Sequence, residues 1–201
     1  DEIVNVGRFQ LDEVDNEIYL IDQKRVTVYD ASTGDFKRGW GGHGMPLSEI
    51  SNEPIPSYEW TGEPPPEEEQ FAPTLHFIEI SNDRRVYVGE RGQNRIQVFT
   101  TEGEWLQDIY VSPNTPAQRG GCAGLRETSA SPMPVGTFYS SICGSMYKMI
   151  ISKDPEQKYL FVADAHNDVV WEVERESGET LGYFGGNGRL AGQFHFANAI
   201  G

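Results

Sequence analysis

The chain has 201 residues, of which 37% are hydrophobic and 11% aromatic, a composition typical of a globular rather than a disordered protein. Its 31 acidic and 16 basic residues give a formal charge of -15, which disfavours binding to nucleic acid or to an anionic membrane surface. No apolar run approaches the roughly eighteen residues of a membrane-spanning helix, so we expect a soluble chain without a membrane span, either mature or excised.

One sequence motif occurs three times along the chain, at 18–34, 86–103 and 160–178. Each copy has an apolar strand that ends in a carboxylate, a short polar turn, a second apolar strand and a glycine. The strands alternate apolar and polar residues and are rich in β-branched and aromatic side chains, whereas no segment shows a helical period. Repetition of this kind is typical of repeat architectures, and the predicted fold class is all-β.

Further strands are predicted on both sides of the motif. One precedes the second and third copies and one follows each glycine: 75–80, 147–152, 36–40, 105–111 and 180–184. Four short antiparallel strands per unit are the content of one β-propeller blade. Aromatic and glycine residues at 40–42 and 184–186 are expected to pack between blades and to turn the chain toward the next one.

Two insertions separate the copies. Segment 45–70 carries six prolines and seven glutamates but no Lys or Arg, so it is predicted to be an acidic loop across one face. Segment 112–136 is rich in Pro, Gly and Ser and is predicted to be a second loop. Loops of this length are usually functional or disordered.

The segment 192–201 begins the repeat unit again and then stops. A blade cannot bury both faces of its sheet alone, and an open array leaves exposed strand edges. We therefore expect residues 1–201 to form a single, partial β-propeller domain with about three blades plus the start of a fourth. The rest of the ring would come from further blades or from self-association with another copy.

The two cysteines, Cys122 and Cys143, lie in a glycine-rich loop and in an apolar stretch, respectively. A disulfide between them would close a loop of about twenty residues, would contribute about 3 kcal/mol, and would suit an extracellular or periplasmic location. The alternative is two unrelated buried thiols.

Three stretches of sequence carry a family resemblance: Gly-Gln-Phe followed by an apolar strand, YVGERGQNRIQVFTTEG at 87–103, and LFVADAHNDVVWEVERESGETLGYFGGNGRLAGQFH at 160–195. They resemble NHL-repeat proteins. The chain is similar in particular to bacterial six-bladed propellers that resemble peptidyl-glycine amidating lyase. The resemblance implies a six-bladed ring, but it does not decide the activity, because propellers serve as enzymes, binding modules and scaffolds.

In the lyase branch, histidines near the start of the innermost strands hold a metal ion in the central channel. His76, in APTLHFIEIS, matches this ligand position, whereas the last unit has Ala197 there and the third unit has no histidine at 146–148. His195 lies two residues before Ala197 on the same strand face, so one interpretation makes it a displaced ligand. The lyase alternative would require zinc or calcium as the cofactor. One histidine cannot supply the three protein ligands of a catalytic zinc, so no cofactor is certain and we favour the interpretation that His76 is a channel-lining or hydrogen-bonded residue.

Three residues are predicted to lie unpaired on the channel face and are the candidate ligand-binding cluster: His76, Tyr147 and Lys148. By contrast, His43 and His166 are expected in exposed loops.

The repeated carboxylates Asp22, Glu90 and Asp164 have two interpretations. Clustered oxygens suit calcium or acid-base chemistry. A carboxylate directly before a turn also fixes a hairpin, and we favour this interpretation because a residue repeated in every blade is more often architectural.

Three arginines beside acidic residues are expected to form weak surface ion pairs: Arg91, Arg95 and Arg175.

The sequence predicts a secreted NHL-repeat propeller that binds a protein, a glycan or a small molecule through its channel mouth and insertion loops. The alternatives are a divergent metal-dependent lyase of the amidating type, with His76 as one ligand, or a calcium-dependent hydrolase similar to a lactonase.

Overall fold

The computed structural model describes residues 6–22, 24–51, 53, 55, 68–72, 75–111, 146–165, 168–186, 188–194, 197 and 200. Much of the acidic insertion and all of segment 112–136 lie outside these residues. Cys122, Cys143, His166 and His195 also lie outside them, so the disulfide stays a prediction.

The described residues form twelve strands: β1 Val6–Asp12, β2 Glu17–Asp22, β3 Arg25–Asp30, β4 Phe36–Trp40, β5 Leu75–Ile80, β6 Arg85–Glu90, β7 Arg95–Thr100, β8 Trp105–Tyr110, β9 Met146–Ile151, β10 Tyr159–Asp164, β11 Val169–Glu174 and β12 Thr180–Gly185. Short 3-10 turns occur at Gly42–Gly44, Leu47–Glu49 and Arg91–Gln93. Among these described elements, no helix has the length and apolarity needed to cross a bilayer.

Each group of four consecutive strands forms one antiparallel sheet in which the strands follow chain order. We call these sheets blade 1 (β1–β4), blade 2 (β5–β8) and blade 3 (β9–β12). The first strands of the blades contact one another in sequence, β1 with β5 and β5 with β9, so they are the innermost strands. This arrangement is that of a partial β-propeller and confirms the predicted fold class.

The predicted strands agree closely with the observed ones. Strands β4 and β5 have the predicted ends, whereas β8, β9 and β12 differ by one residue at one or both ends. The sequence analysis did not identify β1. Residues 8–12 do alternate polar and apolar side chains, with exposed Phe9 and Leu11 on one face of the strand.

Two apolar cores hold the blades together. The first lies between blades 1 and 2, where the Trp40 ring packs 5.9 Å from the ring of Phe99. The second lies between blades 2 and 3 and includes Phe77, Tyr87 and Trp171. Burial of apolar area in these interfaces is the main force that orders the blades.

The outer faces of the end blades remain open among the described residues. On blade 1, Phe9 and Phe36 are 67% and 54% exposed. On blade 3, Phe184 is 52% exposed, although the equivalent Trp40 is buried beneath the next blade. Phe194 lies against Gly185, which agrees with a new unit beginning there.

Gly89 of β6 lies directly opposite Phe77 of β5, and the Phe77 ring occupies the space that a side chain at Gly89 would need. A β-carbon at this position would lie 2.1 to 2.4 Å from the ring atoms of Phe77. Because Phe77 is buried in the core between blades 2 and 3, its ring has little room to move.

Gly89→Ala is expected to lower the free energy of unfolding by roughly 1 to 3 kcal/mol, because it overpacks this core. Denaturant unfolding of the purified protein measures this change. Gly182→Ala is the matched control, since a β-carbon at Gly182 meets nothing within 4 Å. Equal effects of the two substitutions would contradict the steric argument.

Arg175 ties blade 3 to blade 2 and is buried, so the predicted weak surface ion pair is wrong. Its Nη1 donates to Asp83 Oδ1 at 2.8 Å and to the Tyr87 hydroxyl at 2.9 Å. Its Nε donates to the Gln157 carbonyl oxygen at 2.6 Å. The acidic neighbours in the sequence did not reveal that two of its partners, Asp83 and Tyr87, lie on another blade.

Arg175→Met is expected to destabilise the protein by roughly 2 kcal/mol, because it leaves the buried Tyr87 hydroxyl without its donor and removes one of the two arginines that pair with Asp83. Thermal or denaturant unfolding tests this value. Arg189→Met, at an exposed arginine, serves as the control and should change stability by less than about 0.5 kcal/mol. If Arg175→Met has only the effect of Arg189→Met, the polar contacts that Arg175 makes between blades do not contribute to stability.

Candidate ligand-binding site at the channel mouth

Each innermost strand contains an irregularity in its register near its first residue. Pairing with the second strand of the blade skips one residue, which is Gly7 in β1, His76 in β5 and Tyr147 in β9. A β-bulge of this kind turns the skipped residue away from the ladder, and bulges are common beside functional sites. Because the innermost strands contact one another, the three skipped positions lie together at one end of the channel. We call this end the channel mouth.

His76 and Tyr147, two of the three predicted ligand-binding residues, are in contact. Their rings lie 4.7 Å apart in an edge-to-face arrangement, and His76 Nδ1 is 2.9 Å from the Tyr147 carbonyl oxygen. Since a carbonyl oxygen accepts, Nδ1 carries the hydrogen in this contact. In the neutral imidazole, Nε2 therefore keeps its lone pair.

Arg91 completes this group from the turn that follows β6. Its guanidinium carbon lies 4.3 Å from the centroid of the Tyr147 ring, a cation–π contact. The side chains of Arg91 and Tyr147 are almost fully buried, whereas His76 is partly exposed. The prediction that Arg91 forms a surface ion pair is therefore wrong. Its place on the Tyr147 ring depends on a contact between blades that the sequence does not show.

Among the described residues, the charged groups that act on His76 are positive. Burial lowers the pKa of His76, and repulsion from Arg91 and Arg8 lowers it further, against the opposing effect of the bond to the Tyr147 carbonyl. The imidazole is consequently neutral near pH 7. Its Nε2 is then able to accept a hydrogen bond, to bind a metal ion or to take a proton.

Lys148, the third predicted ligand-binding residue, has a different environment. Its ammonium group forms an ion pair with Glu79 of β5, across the two innermost strands. The expectation that Lys148 is unpaired is therefore wrong. The signal missed in the sequence was Glu79, which lies on the neighbouring innermost strand.

The described residues do not fit the zinc site that the family resemblance implies. Of the three skipped positions, only His76 offers a metal-binding atom of the imidazole type, and the nearby guanidinium groups of Arg8 and Arg91 repel a cation. His195 lies outside the described residues, so its role as a second ligand stays a prediction.

A cluster of carboxylates at the opposite end of blade 1 fits calcium no better. Oxygen atoms of Asp12, Asp15 and Glu17 lie within 4.8 Å of one another. However, Arg84 pairs with Asp12 and Asp15, and Arg38 donates to Glu17 at 2.6 Å. The hydrogen bond from Arg84 lowers the pKa of Asp12. These guanidinium groups occupy the lone pairs that a calcium ion would need.

The three repeated carboxylates brace their own hairpins. Asp22 accepts from Arg25 at 3.0 Å, and Asp164 accepts from the indole nitrogen of Trp171 at 2.9 Å. Glu90 accepts from residues of β7 in the same way. In every blade the donor side chain lies on the next strand, which agrees with the architectural interpretation.

Glu90 is fully buried at the end of β6. Its Oε2 accepts from Arg95 Nη2 at 2.7 Å and from Gln97 Nε2 at 3.1 Å, and its Oε1 accepts from the Ala72 N–H at 2.8 Å. Burial raises the pKa of Glu90 to about 7, although Arg95 and the other donors favour the ionised form.

Arg95 fastens the end of the acidic insertion to β7. Besides Glu90, it donates to the carbonyl oxygens of Glu68 and Gln70 and, at 3.0 Å, to Asp108. Its side chain is 1% exposed, so the predicted surface ion pair is wrong here too. Residues 68–70 in turn border a shallow recess of about 420 Å³.

His43 fastens the beginning of the same insertion. Its Nε2 lies 3.0 Å from Asp108, its backbone N–H donates to Gln97 at 2.9 Å, and its ring stacks on Trp105 at 4.2 Å. Only 12% of the His43 side chain is exposed, so the expectation of an exposed loop residue is wrong. The compact Gly42–Gly44 turn brings it back onto blade 2.

The difference in stability between the wild type and Glu90→Gln is expected to depend on pH. The raised pKa means that native Glu90 keeps its proton up to about pH 7, whereas the unfolded chain loses it near its ordinary value of about 4.3. The stabilisation from this group is therefore fully present below the unfolded pKa and is lost as the pH rises toward 7.

Denaturant unfolding of both proteins between about pH 4 and pH 8 tests this expectation, because the subtraction removes the titration of all other groups. The wild type should lose stability relative to Glu90→Gln as the pH rises through this window. A constant difference would mean that Arg95 keeps Glu90 ionised throughout.

Comparison with known proteins supports the fold but does not identify a family. No protein-family model matches the chain, and no curated protein matches it. Hydrazine synthase from Kuenenia stuttgartiensis is similar over 90% of this chain and 36% of its own, with 10% identity and a TM-score of 0.51. At this identity the likeness concerns the fold alone. Membership of the NHL family stays a prediction.

Two further solved structures have lower similarity scores. A protein described as a 6-phosphogluconolactonase from Bacteroides fragilis matches 87% of this chain and 36% of its own, with 14% identity and a TM-score of 0.47. The WD40 domain of Pan2 from Neurospora crassa matches 89% of this chain and 37% of its own, with 12% identity and a TM-score of 0.47. This chain thus spans little more than a third of each of the three matched structures.

Proposed function

We propose that this protein is a secreted NHL-type propeller module that binds a small molecule, a glycan or a peptide at the channel mouth. The observation that carries the proposal is the group formed by His76, Tyr147 and Arg91. It joins a partly exposed imidazole to an aromatic ring and a cation where the bulges of neighbouring blades meet. Sites of this composition, with a few polar groups in an aromatic setting, are typical of ligand binding.

A metal-dependent lyase is the second candidate, and one observation favours it. The hydrogen bond from His76 Nδ1 to a backbone carbonyl is the arrangement that commonly orients a metal-binding histidine. Such a centre would need its other ligands from residues outside those described. It would also have to overcome the repulsion from Arg8 and Arg91.

His76→Asn is expected to weaken ligand binding roughly tenfold while leaving the melting temperature nearly unchanged. The asparagine amide can still donate to the Tyr147 carbonyl, but it has no equivalent of Nε2. Ligand-detected NMR with neutral oligosaccharides, short peptides and small organic acids, together with a calorimetric titration of zinc, identifies the ligand, and titration of both proteins measures the loss.

His76→Gln is the matched control, because it places a polar atom near the position of Nε2 and removes the contact through Nδ1. Zinc binding that depends on His76, without binding of any organic probe, would favour the lyase. Binding of organic ligands that is the same in the wild type and His76→Asn would refute a site at the channel mouth.

A further inference from the structure

The outermost strand of each blade carries one large apolar side chain at the same place in the register. Trp40, Ile109 and Phe184 each pair with the second residue of the third strand of their own blade. Trp40 and Ile109 are buried in the cores between blades, whereas Phe184 is 52% exposed. Phe184 is therefore a contact residue of the same kind with no following blade among the described residues.

The following blade receives this side chain over a glycine in the turn after its third strand. A β-carbon at Gly103 would lie 2.7 Å from the Trp40 ring, and one at Gly178 would lie 3.1 Å from the Ile109 side chain. The equivalent glycine of blade 1 is Gly34, where a β-carbon would meet nothing within 4 Å. Blade 1 thus has the same receiving position, and no described residue occupies it.

A recess of about 190 Å³ lies on the outer face of blade 1, next to the turn that holds Gly34. The described residues that line it are Arg25, Thr27, Tyr29, Phe36 and Leu47. Tyr29 has the same register position as Phe99 of blade 2, the residue against which Trp40 packs. The recess therefore corresponds to the place that Trp40 fills on blade 2.

We propose that a second copy of this chain docks on the outer face of blade 1 and places its Phe184 in this recess. The contact continues the interface that already joins blade 1 to blade 2 and blade 2 to blade 3. Since each copy has one Phe184 and one recess, two copies make the contact twice and close on themselves. Three blades from each copy give six in all, within the roughly four to eight blades of closed propellers.

Further apolar side chains surround both halves of the contact. On blade 1, Phe9 shares the face of the recess and is exposed, although its equivalent in blade 2, Ile78, is buried. On blade 3, the ring of Phe161 lies 6.4 Å from that of Phe184 on the same face of the sheet. Burial of these side chains drives the association, whereas the formal charge of -15 on each copy opposes it. The dimer is therefore expected to become tighter as the salt concentration rises.

The test is sedimentation equilibrium of the 201-residue chain at about 0.15 M salt, which screens charges beyond about 8 Å. The wild type is expected to dimerise at protein concentrations below about 0.1 mM. Phe184→Ser removes the inserted ring, and Phe36→Glu places a charge at the recess, so each should raise the dimer Kd at least about tenfold. Leu106→Ser is the matched control, because Leu106 is an exposed apolar residue on the outermost strand of blade 2. It should leave the Kd unchanged, and circular dichroism verifies that all variants keep their fold.

A mixture of the two variants tests how the copies are arranged. Phe184→Ser keeps an intact recess and Phe36→Glu keeps Phe184, so one of the two contacts forms between unlike copies. The mixture should therefore dimerise more tightly than either variant alone, which fluorescent labels on the two proteins detect. In a dimer that joined like faces, this complementation would not occur.

Three results would overturn the proposal. They are a monomeric wild type at about 0.1 mM, a Kd that Phe184→Ser leaves unchanged, and a mixture that binds no more tightly than the separate variants. A monomeric wild type would assign the recess to another occupant. The proposal goes beyond the proposed function and does not depend on it, since none of these measurements involves a ligand at the channel mouth.

Discussion

A four-stranded antiparallel sheet has two faces, and this protein can bury both only by placing one sheet against the next. Blade 2 meets this condition with a core on each side, whereas blades 1 and 3 each keep an open outer face among the described residues. The order of the blades, the closeness of the innermost strands and the position of the channel all follow from this packing. This packing also requires glycine at position 89, because the ring of Phe77 from the neighbouring strand fills the space that a side chain there would need.

Polar contacts join the ends of neighbouring blades and hold the first insertion in place, which apolar packing alone does not do. At one end of the blades, Arg175 and Arg84 join neighbouring blades through carboxylates. At the other end, Glu90, Arg95 and Asp108 hold both ends of the first insertion against blade 2. Each of these groups is satisfied by several partners, which is the condition under which buried charges are tolerated.

The strands were predictable from the sequence because alternation and turn residues are local signals. The same holds for Trp40, whose aromatic and glycine context indicated a position between blades. The burial of Arg91, Arg95 and Arg175 was not predictable, since their nearest charged residues in the sequence suggested exposed pairs while most of their structural partners come from distant segments. For the candidate site, His76 and Tyr147 were identified from their place in the repeat, but their mutual contact and the approach of Arg8 depend on the bulges and on blade packing.

The skipped positions of the innermost strands hold three very different residues: glycine in blade 1, histidine in blade 2 and tyrosine in blade 3. The same backbone irregularity accommodates all of them, because a residue outside the ladder contributes little to strand pairing. At the partly exposed position of His76, the chemistry of the channel is therefore separable from the pairing of the strands. New recognition properties can arise there, by evolution or by design, through single substitutions that leave the ladder intact.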